Sequence, residues 1–366
     1  MTSSNVSSKK LPATTRVIAC RPGGATVLEE RPMPLPGNNE LLMRVTCCGL
    51  CGTDLFKLAN DTAPFGEVLG HELVGEVVSR GDNVRDFSLG DRIVVPHHVA
   101  CGKCALCRRG NETLCTVFRE NLLAPGGFSD YVLVRERAVR LAARRIPNHV
   151  SDSAAVFLEP AACVLRGLRN SGLANTPPDL TPSGCVVVLG AGSMGLLHVL
   201  VLRAWRPDIH VVACDPVEER RQKALELGAQ TACEPEAARA IVDQASSALG
   251  ADALFDTVGG QKVLDFGLGL TREGGTVVLF AHAPTGDIAN FDLNSLFKYE
   301  RRVIGTYSGG LVDQHEIFDQ ICTGRLDASP LVTHELPLTE FAHGVDLVRD
   351  REALKVLFSA DVETRP

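Results

Sequence analysis

Residues 185–195 read C-V-V-V-L-G-A-G-S-M-G, an apolar run that passes directly into a glycine-rich turn. The run predicts a buried strand, and Gly190, Gly192 and Gly195 match the spacing G-x-G-x-x-G. Because glycine-rich turns are common, the motif gains its meaning from its position between this strand and a predicted helix over residues 193–204. We therefore expect a strand–turn–helix unit whose helix N-terminus binds the pyrophosphate of a dinucleotide.

The expected dinucleotide contacts extend beyond the three glycines. The first glycine makes the tight turn, the second lets the backbone approach the pyrophosphate, and the third allows the helix to pack closely on the strand. The first residues of the helix offer unpaired N–H groups. The predicted cofactor-binding set is Gly190, Gly192, Ser193, Met194, Gly195, Asp215 and Arg220.

Asp215 follows the next predicted strand, residues 210–214, and bears on which dinucleotide binds. A carboxylate at this place accepts hydrogen bonds from the adenosine ribose and repels a 2′-phosphate, which favours NAD over NADP. Arg220 and Arg221 are close in sequence, and either could instead face a phosphate. The alternative role for Asp215 is a plain helix cap before Pro216.

Strands and helices continue to alternate on the carboxyl side of this motif. A helix is expected over residues 217–227, and further strands at residues 253–256, 276–281 and 303–306. Strands separated by helices in this way form a doubly wound parallel sheet. We assign residues 158–306 to this α/β, dinucleotide-binding domain.

The part upstream has a different pattern. Short alternating runs broken by glycine and proline predict an irregular, barrel-like β domain over residues 1–157. Its expected strands are residues 40–46, 73–79, 91–96 and 128–134, and a helical period begins at Ser153. Residues 307–366 return to mixed character, and we expect them to pack back on this first domain.

Residues 101–115 read C-G-K-C-A-L-C-R-R-G-N-E-T-L-C, which places four cysteines in one short loop. Short gaps allow thiolates to converge on one tetrahedral zinc ion, with Zn–S bonds of about 2.3 Å. A four-thiolate site has no open position for a substrate. Cys101, Cys104, Cys107 and Cys115 therefore predict a structural zinc site.

A second set of metal-binding residue types surrounds this loop in the sequence. Cys51, His71-Glu72 and Glu159 are distributed over the first domain and its junction with the second. A mixed set of Cys, His and carboxylate leaves a coordination position open, as catalytic zinc requires. Taken singly, a core histidine or a surface acid is the simpler interpretation; the combination with the cysteine loop and the glycine motif favours a catalytic metal.

Composition narrows the class of protein. The chain has 366 residues, 45% of them hydrophobic and 22% charged, which suits two globular domains. A formal net charge of −7 argues against a nucleic-acid partner. No apolar run has the length of a membrane span, and residues 1–15 lack the apolar core of a secretory signal. With thirteen cysteines and no disulfide pattern, we expect a reducing, cytoplasmic location.

The order of these motifs resembles the zinc-dependent medium-chain dehydrogenase/reductase family, in its alcohol, polyol and threonine dehydrogenase branches. The resemblance covers nearly the whole chain. The shared motifs are C-G-x-C-G-T-D, G-H-E-x-x-G, the four-cysteine loop, G-G-F-x-x-Y-V, L-E-P and G-A-G-x-x-G. It implies a GroES-like catalytic domain, a Rossmann domain, one catalytic and one structural zinc, and a homodimer or homotetramer.

The resemblance also implies roles for individual residues. The catalytic set would be Cys51, Thr53, His71, Glu72 and Glu159, with Cys51, His71 and one or both acids binding zinc. Thr53 would bind the substrate hydroxyl and begin proton transfer, and Asp54 would orient the ligating histidine. The family often has a relay histidine where this chain has Phe56, so the proton would leave by another route, through His97, His98 or cofactor hydroxyls and water.

The expected function is hydride transfer from a secondary alcohol (a polyol, sugar or amino alcohol) to NAD, giving a ketone. Glu159 at the L-E-P motif, where alcohol dehydrogenases usually have cysteine, favours the polyol and threonine branch. Three alternatives stay open: a zinc-binding module, a zinc-free reductase of the same superfamily, and a cofactor-binding sensor without activity. The expected partners are a small alcohol and further copies of the chain, without nucleic acid or membrane.

Overall fold

Two large β-sheets and a smaller two-stranded sheet make up the computed structural model, which describes residues 11–175, 177, 184–283 and 286–360. The strands are β1 (Thr14–Cys20), β2 (Thr26–Pro32), β3 (Leu41–Gly49), β4 (Glu72–Arg80), β5 (Arg92–Pro96), β6 (Leu123–Ala124), β7 (Tyr131–Val134), β8 (Arg144–Arg145), β9 (Cys185–Leu189), β10 (His210–Cys214), β11 (Thr231–Cys233), β12 (Ala251–Asp256), β13 (Thr271–Leu279), β14 (Arg302–Gly305), β15 (Val332–Pro337) and β16 (Lys355–Ser359).

Helices connect and cover these sheets. They are α1 (Gly52–Ala59), α2 (Ala105–Arg108), α3 (Glu136–Leu141), α4 (Asp152–Ala155), α5 (Leu158–Asn170), α6 (Ser193–Trp205), α7 (Glu218–Glu226), α8 (Ala238–Ala245), α9 (Gln261–Leu270), α10 (Leu293–Lys298), α11 (Leu311–Cys322) and α12 (Phe341–Arg349). In the described part of the chain, none of them combines the length and apolar character needed to cross a bilayer.

The parallel sheet has the strand order β11-β10-β9-β12-β13-β14. Every residue of β9 is buried, because helices cover both faces of a parallel sheet. The chain runs outward from β9 in one direction and returns to begin again at β12, so the strand order reverses between these two strands. Ligands of doubly wound sheets bind at such a switch point, outside the carboxyl ends of the strands.

The first sheet is mostly antiparallel and curled, with the order β15-β16-β3-β4-β5-β8; β7 also pairs with β3, and β6 with β7. β16 joins the edge of β3 through Leu357↔Gly49 and Phe358↔Cys48. The C-terminal strands β15 and β16 thus belong to the sheet formed by the N-terminal part. Together with the parallel sheet, this confirms the predicted α/β fold with a GroES-like β domain and a Rossmann domain; the exact domain limits stay a prediction.

Helix α5 lies between the two sheets. Its buried residues Leu165 and Leu168 share one hydrophobic core with Val74 and Val94 of the first sheet and with Val186 of the parallel sheet. The sequence predicted one helix from Ser153 onward, but the structure has α4 and α5 instead. The reason is Pro160: it has no N–H for the carbonyl four residues earlier, so it fits only in the first turn of a new helix.

Candidate active site

Cys51 is placed by the start of α1. It is the N-cap residue, and its Sγ accepts a hydrogen bond from the Thr53 amide at 3.5 Å. Asp54 Oδ2 accepts in turn from the Cys51 amide at 3.1 Å, which completes a capping box. This reciprocal pair fixes the helix start, so the thiol is held where the helix begins and faces the cavity between the two sheets.

His71 and Glu72 lie at the beginning of β4, one after the other. Gly70 precedes them with φ of +90°, and a Cβ there would meet the Phe128 amide nitrogen at 2.7 Å, so only glycine fits. Glu72 is opposite Gly49 in the sheet register. A Cβ at Gly49 would meet Glu72 Oε2 at 2.3 Å, which explains why the glutamate needs a glycine across from it.

The structure brings Cys51, His71 and Glu72 together. One donor atom from each lies within 4.8 Å of the other two. Glu72 is 1% exposed, and its Oε1 has no hydrogen-bond partner among the described residues. A thiol, an imidazole and a carboxylate are the ligand types of zinc, and an unpartnered buried oxygen beside them is the kind of atom that a metal would satisfy. The three residues therefore fit a zinc ion.

Asp54 supports His71 from the other side. Its Oδ1 lies 3.4 Å from His71 Nδ1 and 3.4 Å from the Gly70 amide. Burial opposes charge on both groups, but each also stabilises the other: His71 holds the pKa of Asp54 below its usual value, and Asp54 holds the pKa of His71 well above its usual value. A carboxylate behind a histidine fixes the ring orientation that metal binding requires.

Glu159 lines the same cavity but is not part of the donor group within 4.8 Å among the described residues. It stands in the first turn of α5, and its Oε1 accepts a hydrogen bond from Cys163 Sγ at 3.4 Å. Burial raises the pKa of this carboxyl, and the charge of Glu72 raises it further. The structure therefore places Glu72, rather than Glu159, next to Cys51 and His71.

No local pattern of residues indicates the partner of Glu72. Lys355, the first residue of β16, is 3% exposed and donates from Nζ to Glu72 Oε2 at 2.6 Å and to the Leu50 carbonyl at 3.2 Å. Burial alone would lower the pKa of Lys355, but Glu72 and Cys51 outweigh this effect and raise it. A buried ion pair between Lys355 and Glu72 therefore adjoins Cys51 and His71.

These residues open into a cavity of about 820 Å³ between the two sheets. Part of its wall comes from α1 with Thr53 and Phe56, and part comes from the second domain with Met194 of α6 and His282 after β13. Thr53 Oγ1 lies 3.2 Å from His282 Nε2. His282 follows β13 at the carboxyl edge of the parallel sheet, the edge where ligands bind, so its position could have been suspected from the sequence.

His97 and His98, considered as relay residues from the sequence, line this cavity as well. Their rings stack on each other with centroids 3.6 Å apart, and His97 also packs on His71 at 4.6 Å. Burial lowers the pKa of His98 to about 4 and that of His97 well below its usual value. Both are therefore neutral at pH 7.

The glycine turn has the geometry that the motif predicts. Gly190 has φ of +87°, and a Cβ on Gly195 would meet the Gly190 carbonyl oxygen at 1.8 Å, so turn and helix pack too closely for a side chain. A Cβ on Gly192 would meet nothing within 4 Å, which leaves that face open. Gly192 caps α6, so the amides at the helix start are available to an anion.

Asp215 is tied to this turn. Its Oδ2 accepts from the Ala191 amide at 2.7 Å, and its Oδ1 accepts from the Val217 amide at 2.8 Å. Asp215 therefore accepts a hydrogen bond from the segment before α7, as a cap would, and also lies beside the glycine turn. Arg220 Nη1 lies 4.0 Å from Asp215 Oδ2, whereas Arg221 is occupied by the carbonyls of Asp215 and Pro216.

The four cysteines of residues 101–115 converge as their spacing indicates. One sulfur from each lies within 4.8 Å of the others. Hydrogen bonds from the backbone amides of Lys103 and Cys104 lower the pKa of Cys101 to about 6, which favours the thiolate that binds metal. Cys115 packs with Ala100 and Phe118 in a small apolar cluster, to which Leu311 of α11 adds. All thirteen cysteines of the chain are free thiols.

Comparison with known proteins adds the family. Residues 37–143 match the alcohol dehydrogenase GroES-like domain, and residues 193–321 match the zinc-binding dehydrogenase domain. Together these two models cover most of the chain and fall on the two sheet systems described above.

Curated relatives extend over nearly the full length. A sorbitol dehydrogenase from Halalkalibacterium halodurans is 28% identical over 92% of this chain and 96% of its own length. The L-galactonate-5-dehydrogenase of Escherichia coli K12 is 28% identical over 94% of this chain and 98% of its own length. Among solved structures, an alcohol dehydrogenase from Thermus sp. ATN1 superposes with a TM-score of 0.81 at 28% identity, covering 94% of this chain and 100% of that one.

The donor sets, the glycine turn and these comparisons agree, and they confirm the resemblance drawn from the motifs. The chain belongs to the zinc-dependent medium-chain dehydrogenases, a family of oxidoreductases that act on alcohols.

Proposed function

We propose that this protein oxidises a secondary alcohol of the polyol, sugar-alcohol or amino-alcohol class to a ketone, with NAD as the hydride acceptor. The observation that carries the proposal is one cavity that contains both halves of the chemistry. Cys51 and His71 line it together with Met194 at the start of α6, the helix that follows the glycine turn. A substrate bound by the first group would therefore face a nucleotide bound by the second.

Cys51, His71 and Glu72 would hold the catalytic zinc, and Glu159 lines the same cavity. A zinc ion at this place would act as a Lewis acid that makes the substrate hydroxyl more acidic. Asp54 keeps the His71 ring oriented for this role. Cys101, Cys104, Cys107 and Cys115 would hold the second, structural zinc, because a four-thiolate set leaves no position for substrate.

Thr53 is the residue of the chain best placed to receive the substrate proton. Its side chain belongs to the first turn of α1, two residues from Cys51, and its hydroxyl faces the cavity. A hydroxyl can accept one proton while donating its own. Phe56, on the same helix, lines the cavity with an apolar surface that would exclude water from the reacting carbon.

NAD, rather than NADP, is supported by the charge at Asp215. Its carboxylate is 3% exposed and already accepts two backbone amides. A 2′-phosphate beside it would meet a negative charge in a buried setting, where repulsion is poorly screened. Of the two nearby arginines, Arg221 is engaged by carbonyl groups and only Arg220 would be available to a ribose hydroxyl.

The substrate class is supported by the relatives and by the size of the cavity. Two relatives that match over nearly their whole length are named for a polyol and for a sugar acid with several hydroxyls. A cavity of about 820 Å³ lies within the range that small-molecule sites occupy. The nicotinamide end of the cofactor would share this volume with the alcohol, and the remaining space would admit a substrate of several carbons.

The test combines activity with metal content. The purified protein would be assayed with secondary alcohols, cyclitols, sugar alcohols and hydroxy amino acids, with NAD and with NADP, while zinc is counted per chain. We expect two zinc ions and NAD-dependent oxidation of at least one member of the panel. No oxidation of any of these alcohols by the zinc-loaded protein would contradict the proposed function and favour a sensor.

Two cysteine variants separate the metal sites. Cys51→Ser should abolish turnover and leave the zinc of the four-cysteine loop in place, so that one ion per chain remains. The matched control, Cys104→Ser, should lose the other ion and lower thermal stability, because the small cluster around Cys115 cannot hold the loop alone. Retained turnover in Cys51→Ser would show that the catalytic assignment is wrong.

A further inference from the structure

His282 makes the contact that connects the two domains at the reacting end of the cavity. Its Nε2 lies 3.2 Å from Thr53 Oγ1, and its ring stacks on Phe56 with centroids 5.4 Å apart and planes 19° from parallel. Thr53 and Phe56 belong to α1 of the first domain, whereas His282 follows β13 of the parallel sheet. The imidazole is thus held beside the hydroxyl by one polar and one stacking contact.

The contact matters because a threonine hydroxyl is not a base at neutral pH. It can pass a proton on only by accepting one while it donates its own. A proton that reaches Thr53 needs a second acceptor within hydrogen-bond distance. Phe56 provides none, because its side chain has no polar atom. If the proposed alcohol oxidation holds, on which this inference rests, we propose that His282 accepts the substrate proton through Thr53 and delivers it to solvent.

The proton and electron count of this step balances. The substrate hydroxyl gives its proton to Thr53 Oγ1 while the Thr53 hydroxyl gives its own proton to His282 Nε2. The carbon–hydrogen bond of the alcohol breaks, and its electron pair leaves with the hydrogen as hydride to the nicotinamide ring of NAD. The imidazolium then loses a ring proton to water, because His282 is exposed, and returns to the tautomer with an unprotonated Nε2 before the next turnover. The products are a ketone, NADH and one proton.

Other groups that line the cavity are less suited to this role. Among the described contacts of His97 and His98, none is with Thr53; their rings pack on each other, on His71 and on Phe118. Asp54 is engaged by two backbone amides and by His71.

The remaining charged groups that face this space come from neighbouring elements. Lys57 of α1 forms an ion pair with Glu67 at 3.1 Å, Glu159 accepts from Cys163, and Arg119 lies over the Tyr307 ring at 5.0 Å. The side chains of Lys57 and Arg119 offer hydrogen-bond donors and no acceptor atom. His282 is therefore the acceptor in hydrogen-bond contact with Thr53 in the described structure.

The first experiment measures the pH profile of alcohol oxidation by the zinc-loaded enzyme. His282→Gln keeps a polar group at this position but cannot accept a proton, so we expect kcat at pH 7 to fall about a hundredfold, within the range of general acid–base catalysis. The ionisation seen in the wild-type profile should disappear. The matched control is His98→Gln, which removes another imidazole of the same cavity and should keep the wild-type profile.

Chemical rescue distinguishes proton transfer from a structural role. In His282→Ala, added imidazole should raise the rate of alcohol oxidation about tenfold or more. This increase should depend on the concentration of neutral imidazole. Zinc content and NADH binding of both His282 variants should equal those of the wild type. The proposal would be overturned if His282→Gln had the same pH profile of alcohol oxidation as the wild type. It would also be overturned if the profile changed in His98→Gln and not in His282→Gln.

A second experiment needs neither cofactor nor substrate. The ring signals of His282 are followed by NMR as a function of pH in the wild type and in Thr53→Val, which removes the hydroxyl but keeps the shape. We expect the ring signals and their titration midpoint to change in Thr53→Val. Unchanged His282 signals would mean that the contact does not exist in solution, and the inference would fail. Absence of oxidation by the wild type would instead reject the proposed function and leave this contact intact.

Discussion

At the residue scale, Lys355 and Glu72 form a buried ion pair that links β16 to β4. Both side chains are at most 3% exposed, and the 2.6 Å contact satisfies one carboxylate oxygen, while the other has no hydrogen-bond partner among the described residues. Two charges removed from water are tolerated only when they are paired and hydrogen-bonded. Lys355 thus neutralises the inner side of the proposed metal site and holds Glu72 in one orientation.

We predict that Lys355→Met destabilises the zinc-free protein by about 3–5 kcal/mol, because it leaves the Glu72 charge buried without a partner. Differential scanning calorimetry measures this as a lower unfolding temperature. The control Lys355→Met/Glu72→Gln removes both charges and should recover most of the loss. A single variant as stable as the wild type would show that Glu72 is already neutral or otherwise compensated.

At the element scale, helix α6 carries a buried histidine directly behind the glycine turn. His198 is 0% exposed; its Nδ1 donates to the Met194 carbonyl at 2.7 Å, and its Nε2 has no partner among the described residues. The ring packs against Phe280 and Phe255 with centroids 4.5 and 5.2 Å away. Burial lowers the pKa of His198 to about 4.

This lowered pKa predicts a loss of stability in mild acid. The pKa of His198 is about 6.5 in the unfolded chain and about 4 in the folded chain, so between these pH values only the unfolded chain binds the proton. The contribution of His198 to stability is therefore complete above pH 6.5 and is lost as the pH decreases. The free energy of unfolding should fall by about 3 kcal/mol in total, at roughly 1.4 kcal/mol for each unit by which the pKa is lowered. Urea unfolding from pH 7 to pH 4 measures it.

The control for this prediction is His198→Met, which fills the same apolar site without a titrating group. The difference in unfolding free energy between the two proteins should change with pH over this interval, because effects of all other groups cancel. If both proteins lost stability in parallel, His198 would not be the group responsible.

At the scale of the whole molecule, one exposed apolar patch is consistent with association of two copies. Leu293 and Phe297 lie one helical turn apart on α10 and are 76% and 84% exposed, and Ile288 beside them in sequence is 78% exposed. β14 forms the end of the described parallel sheet, so an open strand edge belongs to the same domain. Exposed apolar surface and open strand edges are features of protein interfaces.

We therefore predict that the protein forms a homodimer or homotetramer through this surface and that Phe297→Asp shifts it toward the monomer. Sedimentation velocity measures the mass. Leu35→Asp, which places the same charge at another exposed apolar residue, should keep the wild-type mass. A wild type that sediments as a monomer, or a Phe297→Asp variant with unchanged mass, would contradict the prediction.

Much of the fold was predictable because its signals are local. The apolar strand at residues 185–189 and the glycines after it specify both the strand and the nucleotide turn within eleven consecutive positions, and the structure has β9 and α6 where they were expected. The four-cysteine donor set was also recognisable from its spacing. The cysteine loop needs no other part of the chain to bring its sulfurs within 4.8 Å.

The sequence by itself therefore determined the family, the two-domain α/β architecture and the residue types at each site. Each of these depends on short motifs whose local structure does not need the rest of the chain. The tertiary structure alone decided three things: that Glu72 and not Glu159 joins Cys51 and His71, that Lys355 lies 2.6 Å from Glu72, and that His282 reaches Thr53. The partners in the last two contacts are 283 and 229 residues apart in the chain. Such contacts depend on the register of β16 against β3 and on the packing of one domain against the other, which no local pattern of residues encodes.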